Sequence, residues 1–241
     1  MSGHSKWNNI KHKKEKSDAA KAKIFTKIGK EMAVAIKAGG PDPNNNSKLR
    51  DLIAKAKANN VPNENIQRTI KKFTDNSDIN YEEITYEGYG PSGVAIIVEA
   101  STDNRNRTAG NVRAWFNKYG GNMGMTGCVS FLFEEKGVIT IIDEDGEIEE
   151  DKMMEDALEC GAEDIKCEEG EYTIYTTPDD ISAVRDAIIS LGYKIETADL
   201  AKVPSTYVTL DNPDDIENME KMLDKFNEDD DVNAVFTNWD N

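Results

Sequence analysis

The chain has 241 residues, and its composition excludes several classes of protein. It is 38% hydrophobic and 31% charged, with a formal net charge of −17, which is typical of a soluble globular protein of one to three domains. No apolar run approaches the roughly 20 residues that a membrane-spanning helix needs. The polar, basic N-terminus does not fit a secretory signal. A mitochondrial transit peptide is conceivable, but the basic residues are mainly Lys rather than Arg, so we expect a cytoplasmic protein with no membrane partner.

Charge is divided unequally along the chain. Residues 1–72 contain 17 basic and 6 acidic residues, a net charge of +11, whereas residues 73–241 contain 12 basic and 40 acidic residues, a net charge of −28. A cationic head on an anionic body indicates a polyanionic partner for the head.

The head is predicted to be a basic arm followed by a small helical bundle. Residues 1–16 show no apolar periodicity, and we interpret them as a mobile arm. Three amphipathic helices are then predicted to begin near Asp18, Ser47 and Pro62. Their predicted inward faces include Ile24, Ile28, Met32 and Ile36 in the first, Leu49, Leu52, Ile53 and Ala56 in the second, and Ile66, Ile70 and Phe73 in the third. Short connections between them favour a three-helix bundle. The first helix has four lysines on the face opposite its apolar residues: Lys23, Lys27, Lys30 and Lys37. They could form an ordinary solvated face, but such a face normally mixes charge signs.

Beyond a polar linker at residues 74–78 the pattern changes to strands. Strands are predicted over 82–87, 94–100 and 129–133, with a helix over 104–119. Residues 137–202 follow the βαββαβ order of a ferredoxin-like domain. The last segment, with strands predicted over 207–210 and 232–236 and a helix between them, is too short for its own core, so we expect it to join the sheet that begins at residue 82. The predicted fold class is α+β with three domains: residues 1–76, a discontinuous α/β domain of 77–135 plus 204–241, and an inserted ferredoxin-like domain of 136–203.

No catalytic, cofactor or metal site is predicted. The two histidines, His4 and His12, both lie in the arm, and no Ser/His/Asp or Cys/His arrangement can be assembled in the body. Metal binding by this pair lacks nearby thiols or carboxylates in ligand spacing. The scattered Cys128, Cys160 and Cys167 indicate reduced thiols rather than disulfides. We therefore expect a protein that is not an enzyme.

Three further motifs are interpreted as turns. Residues 88–93 match G-x-G-x-x-G, but a strand follows and Pro91 removes one amide, so the phosphate-binding context is missing. Residues 143–146 lack the glycine spacing of a calcium loop. The acidic run at residues 228–231 is predicted to be a solvated turn, and both acidic runs would repel phosphate from the body.

The candidate site is a set of side chains suited to phosphate contact. Trp7 either stacks on a base or pins the arm to the bundle. Arg105 and Arg107 begin a helix, where cations are disfavoured, so each either forms an internal salt bridge or contacts nucleic acid. We expect the bundle lysines to be dispensable for folding. The predicted nucleic-acid-binding residues are His4, Lys6, Trp7, Lys11, His12, Lys13, Lys14, Lys16, Lys23, Lys27, Lys30, Lys37, Arg105 and Arg107.

Several stretches make the chain similar to one known family. Gly3–Trp7, Lys23–Lys27, Tyr86–Ala95, Thr102–Thr108 and Val235–Asn238 resemble the YebC/PmpR family over essentially the whole chain. The resemblance implies a three-domain, cytoplasmic, non-enzymatic regulator of gene expression. The family carries the name of transcriptional regulator, while mitochondrial relatives are translational activators and bacterial relatives have been linked to relief of stalled ribosomes.

The sequence leaves two main functions open; a third, a protein-interaction scaffold that binds no nucleic acid, is weaker because it leaves the charge of +11 on residues 1–72 unexplained. The first is DNA binding that regulates transcription; the alternative is a translation factor that binds the ribosome through ribosomal RNA or tRNA. No helix-turn-helix reader is apparent, and lysines contact phosphates while giving little sequence information. These residue types lean slightly towards RNA, whereas the family name favours DNA.

Overall fold

The computed structural model describes residues 18–75, 80–143, 145–168 and 170–240. Among these, the first compact unit contains the residues up to Ser130 together with Leu210–Thr237, and the second contains Phe131–Thr209 together with residues 238–240. The helices are α1 (Asp18–Gly39), α2 (Ser47–Ala58), α3 (Asn63–Asp75), α4 (Arg105–Lys118), α5 (Glu150–Glu159), α6 (Ile181–Ser190) and α7 (Pro213–Glu228). The strands are β1 (Glu82–Tyr89), β2 (Ala95–Thr102), β3 (Asn122–Met123), β4 (Phe133–Ile142), β5 (Asp164–Glu168), β6 (Glu171–Thr176), β7 (Thr197–Pro204), β8 (Val208–Thr209), β9 (Val232–Thr237) and β10 (Trp239–Asp240).

Helices α1, α2 and α3 share one apolar core in the first unit. Apolar residues recur at helical spacing in each helix, so burial of one face drives the three to associate. This confirms the apolar faces predicted from the sequence; the fully buried members are Ile28, Met32, Ala35, Ile36, Leu49, Leu52, Ala56 and Ile66.

Asn46 ties the end of α1 to the start of α2. Its side-chain oxygen accepts a hydrogen bond from the Leu49 amide at 3.0 Å, while its amide group donates to the carbonyls of Ala35 and Gly40, each at 2.8 Å. The side chain therefore caps one helix and satisfies carbonyl groups at the end of another. Helix α2 begins at Ser47 as predicted, but Ser47, interpreted from the sequence as the N-cap, is the first helical residue, and Asn46 is the cap.

The first unit is built on a four-stranded antiparallel sheet in the order β3-β1-β2-β9. Seven of the eight residues of the inner strand β2 are buried, as expected for a strand covered on both faces. Helices α1 and α4 contact this strand, and α7 contacts β9. Phe116 of α4 and Phe226 of α7 pack with ring centroids 5.2 Å apart. The sheet thus fixes the N-terminal end of α4 and the segment that follows α7.

The second unit has the predicted ferredoxin-like plan. Its antiparallel sheet has the order β5-β6-β4-β7. Helices α5 and α6 contribute Met153, Val184 and Ile188 to the core that they share with β4, β5 and β6. A short parallel pair of β8 with β10 belongs to the same unit.

Two predicted strands differ from the structure. The predicted strand at 129–133 is instead a 3₁₀ turn, Ser130–Leu132, because the backbone amides of Val129 and Ser130 donate to a carboxylate rather than to a neighbouring strand. The segment at 207–210 pairs with β10 and not with the sheet of β1, whereas β9 joins that sheet as expected. The division into three domains at the predicted boundaries stays a prediction.

Candidate nucleic-acid interface

The predicted site residues fall into three groups. Lys23, Lys27, Lys30 and Lys37 lie on α1, and Arg105 and Arg107 lie in the first turn of α4. The remaining eight lie outside the described residues: His4, Lys6, Trp7, Lys11, His12, Lys13, Lys14 and Lys16.

Three lysines of α1 contact the end of α7 and the segment after it. The ammonium groups donate from Lys23 to the Glu228 carbonyl at 3.2 Å, from Lys27 to the Asn227 carbonyl at 2.8 Å, and from Lys30 to the Asp230 carbonyl at 2.8 Å. The last carbonyls of a helix have no partner within it and carry the negative end of the helix dipole, so cations are favourable there. For these lysines the sequence analysis weighed phosphate contact against an ordinary solvated face, and it did not predict acceptors within the chain, which the structure shows for all three.

Asp231 is the charged centre of this contact. One carboxylate oxygen accepts from Lys30 at 2.6 Å; the other accepts from Arg107 at 2.7 Å and from the Thr108 hydroxyl at 2.8 Å. The exposed fractions of the Lys30 and Asp231 side chains are only 12% and 7%. Burial acts to raise the pKa of Asp231, but the hydrogen bonds from Lys30, Arg107 and Thr108 outweigh it and lower the pKa to about 2. The carboxylate is therefore ionised throughout the neutral range.

The acidic segment 228–231 thus differs from the solvated turn predicted for it. Asp231 is buried, whereas Glu228 and Asp230 are exposed. Asp229 accepts from the Asn111 side chain at 3.2 Å and from the Asp231 backbone amide at 2.7 Å. The run is a folded segment that holds one carboxylate between α1 and α4.

The two arginines of α4 have different environments. Arg107 forms an internal salt bridge, with Asp103 as well as Asp231 at 2.7 Å, which favours the structural alternative for this residue. Arg105 lies 3.6 Å from Glu82, and 66% of its side chain is exposed. Arg105 therefore keeps a guanidinium that faces solvent. On α1, the Lys37 ammonium donates to the Asn80 side chain and is exposed.

Sequence reasoning left other exposed cations of the bundle out of the site. Lys48 pairs with Glu83 at 2.6 Å and Arg68 with Glu64 at 3.0 Å, but in both pairs the side chains stay largely exposed. Their positions on the polar faces of α2 and α3 are the sequence signal that could have added them to the predicted site. The other exposed cations of α2 and α3 are Arg50, Lys57, Lys71 and Lys72.

A cleft of about 690 Å³ adjoins the Asp231 network. Three cations and four carboxylates contribute to its walls, so the charges largely balance. Its lining residues are Lys30, Arg107, Asn111, Trp115, Lys225, Glu228, Asp229, Asp230 and Asp231.

The glycine-rich loop between α4 and β4 is held by a buried carboxylate that the sequence analysis missed. Glu87 accepts from the backbone amides of Gly127, Val129 and Ser130 at 2.8–2.9 Å. Burial raises the pKa of Glu87, but these hydrogen bonds lower it more, so the pKa lies below its usual value. The side chain of Met125 in this loop is 85% exposed.

Two kinds of feature are not found in the part of the chain that the structure describes. No cluster of three or more His, Cys, Asp and Glu side chains there is suited to hold a metal ion. Nor does any described helix have the length and apolar character to cross a membrane.

Comparison with known proteins places the chain in a family. A profile of the TACO1/YebC protein N-terminal domain matches residues 5–76, and a profile of the TACO1/YebC second and third domain matches residues 81–239. Similar curated proteins, each called a probable transcriptional regulatory protein, include one from Acetivibrio thermocellus, 56% identical with 99% of each chain covered. Another, from Agathobacter rectalis, is 55% identical with both chains fully covered.

A solved structure supports the same relationship. A conserved hypothetical protein from Aquifex aeolicus has a TM-score of 0.83 and 42% identity, with 92% of this chain and 91% of that chain covered. Sequence and fold similarity both extend over nearly the whole length. The chain belongs to the TACO1/YebC family.

Proposed function

We propose that this protein is a nucleic-acid-binding regulator of transcription whose basic N-terminal region contacts phosphates. The observation that carries the proposal is the net charge of +11 on residues 1–72, in a chain whose remaining residues carry −28. The name probable transcriptional regulatory protein, borne by relatives that match the whole chain, supports the same reading. The proposal includes no catalytic step and places the protein in the cytoplasm.

The proposed contacts use charge rather than base reading. Lysine ammonium groups are point charges that bind phosphate oxygens and release condensed counterions, which gives affinity with little sequence information. Arg105 and the exposed cations of α2 and α3 are available to phosphates in the first unit. We propose that the predicted residues of the arm, from His4 to Lys16, complete the contact.

The acidic residues of the rest of the chain, 73–241, also contribute to the proposed function. Carboxylates repel phosphates, so a chain with this charge distribution approaches a polyanion with its basic region first. The ferredoxin-like domain predicted over 136–203 belongs to this acidic part of the chain, so we propose no phosphate contact for it.

Two measurements in one strain background test the proposal. We expect chromatin pull-down of the protein to recover promoter DNA, and a deletion strain to change transcription from the recovered promoters. Ribosome profiling of the deletion strain supplies the opposing outcome. Codon-specific pauses with no promoter occupancy would contradict the proposal. That result would instead indicate a translation factor that binds the ribosome through ribosomal RNA or tRNA.

A further inference from the structure

We propose that the acidic segment 228–231 competes with nucleic acid for the lysines of α1, so that phosphates bind these lysines only after their hydrogen bonds to the segment have broken. The inference rests on the proposed function and concerns the regulation of the same basic surface. It follows from how the acceptors of Lys23, Lys27 and Lys30 are arranged.

The three lysines form one row along α1. Their spacing of four and then three residues places them on one helix face, and every one of them donates to an oxygen between Asn227 and Asp231. Lys30 binds two acceptors on this segment, the Asp230 carbonyl and the Asp231 carboxylate, and only 12% of its side chain is exposed. Two of the three ammonium donors are used and little of the side chain is exposed, so a phosphate would have to displace one of these acceptors to make the same close contact with Lys30.

The acceptors resemble those of a nucleic-acid backbone. They are oxygens at the negative end of a helix dipole together with a carboxylate, on a segment with four successive acidic side chains. Replacement by phosphate would exchange one charge-assisted hydrogen bond for another. Competition of this kind reduces the apparent affinity in proportion to the fraction of molecules whose lysines are free of the segment.

The segment can keep its other contacts when the hydrogen bond between Lys30 and Asp231 breaks. The Asp231 oxygen that binds Lys30 is not the one that accepts from Arg107 and Thr108. Breaking the bond to Lys30 therefore leaves the contacts to α4 intact. Lys225 and Asn111, which also face the segment, bind Glu228 and Asp229 rather than Asp231, so they too can keep their partners.

Asp231→Asn tests the competition, with Asp230→Asn as the matched control. Each change removes one negative charge beside α1, but only Asp231 binds Lys30 through its side chain. We expect Asp231→Asn in the full chain to bind a 20-base-pair duplex or a single-stranded RNA of the same length roughly three- to tenfold more tightly than Asp230→Asn, a difference of about 1 kcal/mol. Equal affinity of the two variants would overturn the inference.

A second measurement uses the unaltered chain and does not depend on the folding of a variant. The amides of Asp229, Asp231 and Val232 are hydrogen-bonded to Phe226 or Asp229, and the lysines of α1 hold carbonyls of the same stretch. Loss of the lysine contacts when the duplex binds should make local opening of the segment more frequent and so speed the hydrogen exchange of these amides, even though Asp231 stays bound to α4. Unchanged or slower exchange would contradict the competition. Absence of binding by the wild-type chain to either nucleic acid would overturn the proposed function itself, and this inference with it.

Discussion

Asp231 shows how one carboxylate can join two helices that are far apart in sequence. It accepts hydrogen bonds from Lys30 of α1, 201 residues earlier, and from Arg107 and Thr108 of α4. Removing one partner of a buried charged pair costs more than the pair contributes, because the remaining charges stay without compensation. The two cations therefore make Asp231 a structural residue of the first unit.

Asp231→Asn is expected to lower the free energy of unfolding at pH 7 by about 2–4 kcal/mol. Because the folded pKa lies below the unfolded value, the stability from ionised Asp231 is present above about pH 4 and is lost as pH falls through 2. Urea unfolding of wild type and variant at pH 7 and pH 3 should show the difference roughly halved at pH 3. Asp230→Asn is the control, expected within about 0.5 kcal/mol of wild type.

Glu87 has an equivalent role in the glycine-rich loop. Glu87→Gln leaves one acceptor oxygen for three backbone amides and turns new donors towards them, so we expect a loss of about 1–3 kcal/mol in the free energy of unfolding. Hydrogen exchange at the amides of Gly127, Val129 and Ser130 should become faster. Glu83→Gln, on the exposed part of the same strand, should change neither quantity appreciably; unaltered exchange in Glu87→Gln would show that the loop is held by other contacts.

The local sequence distinguishes neither of these carboxylates. Asp231 follows three other acidic residues, and Glu87 lies in a strand with two more. What makes each of them different is burial beside donors that come from distant segments. A pattern of neighbours along the chain carries no information about such contacts, so the sequence analysis identified neither as a buried carboxylate.

Helix α1 illustrates what periodicity can and cannot predict. The spacing of Ile28, Met32 and Ile36 correctly predicted the face that packs against α2 and α3. The spacing of the lysines is equally regular, and the sequence analysis interpreted it as a second helix face that contacts phosphate or solvent. Periodicity gives the direction of a side chain around the helix but not what lies there, which in this case is the end of α7.

Charge reversal separates the lysines of α1 from those of α2. Lys30→Glu would place a carboxylate against Asp231, and we expect a loss of about 3 kcal/mol or more in the free energy of unfolding. Lys57→Glu, on an exposed position of α2, should stay within about 0.5 kcal/mol of wild type. Thermal unfolding of both variants checks this, and equal melting temperatures would mean that Lys30 does not support the fold.

The order of elements was easier to predict than their partners. The βαββαβ order of residues 137–202 predicted the plan of the second unit, because short connections leave few ways to arrange four strands. The segment at 207–210 was misplaced, since two-residue pairing with β10 depends on the far end of the chain. Short strands carry too little apolar pattern to select a sheet.

At the scale of the whole molecule, the unequal division of charge is the property that the proposed function uses. Part of the positive charge on residues 1–72 is neutralised inside the first unit by Asp231, Glu83 and the carbonyls at the end of α7. In the proposed function, phosphates contact the exposed cations of α2 and α3, Arg105 and the predicted residues of the arm. Electrostatic docking of this kind has a characteristic dependence on salt.

Equilibrium binding of the full chain to duplex DNA over a range of salt concentrations tests the central claim most directly. The logarithm of the binding constant should fall linearly with the logarithm of salt concentration, with a slope of about −0.9 for each phosphate neutralised. Replacement of Lys11, Lys13, Lys14 and Lys16 by Gln should make the slope shallower by about 1 for each phosphate that the variant no longer neutralises. A flat salt response, or the same slope for both proteins, would contradict the account.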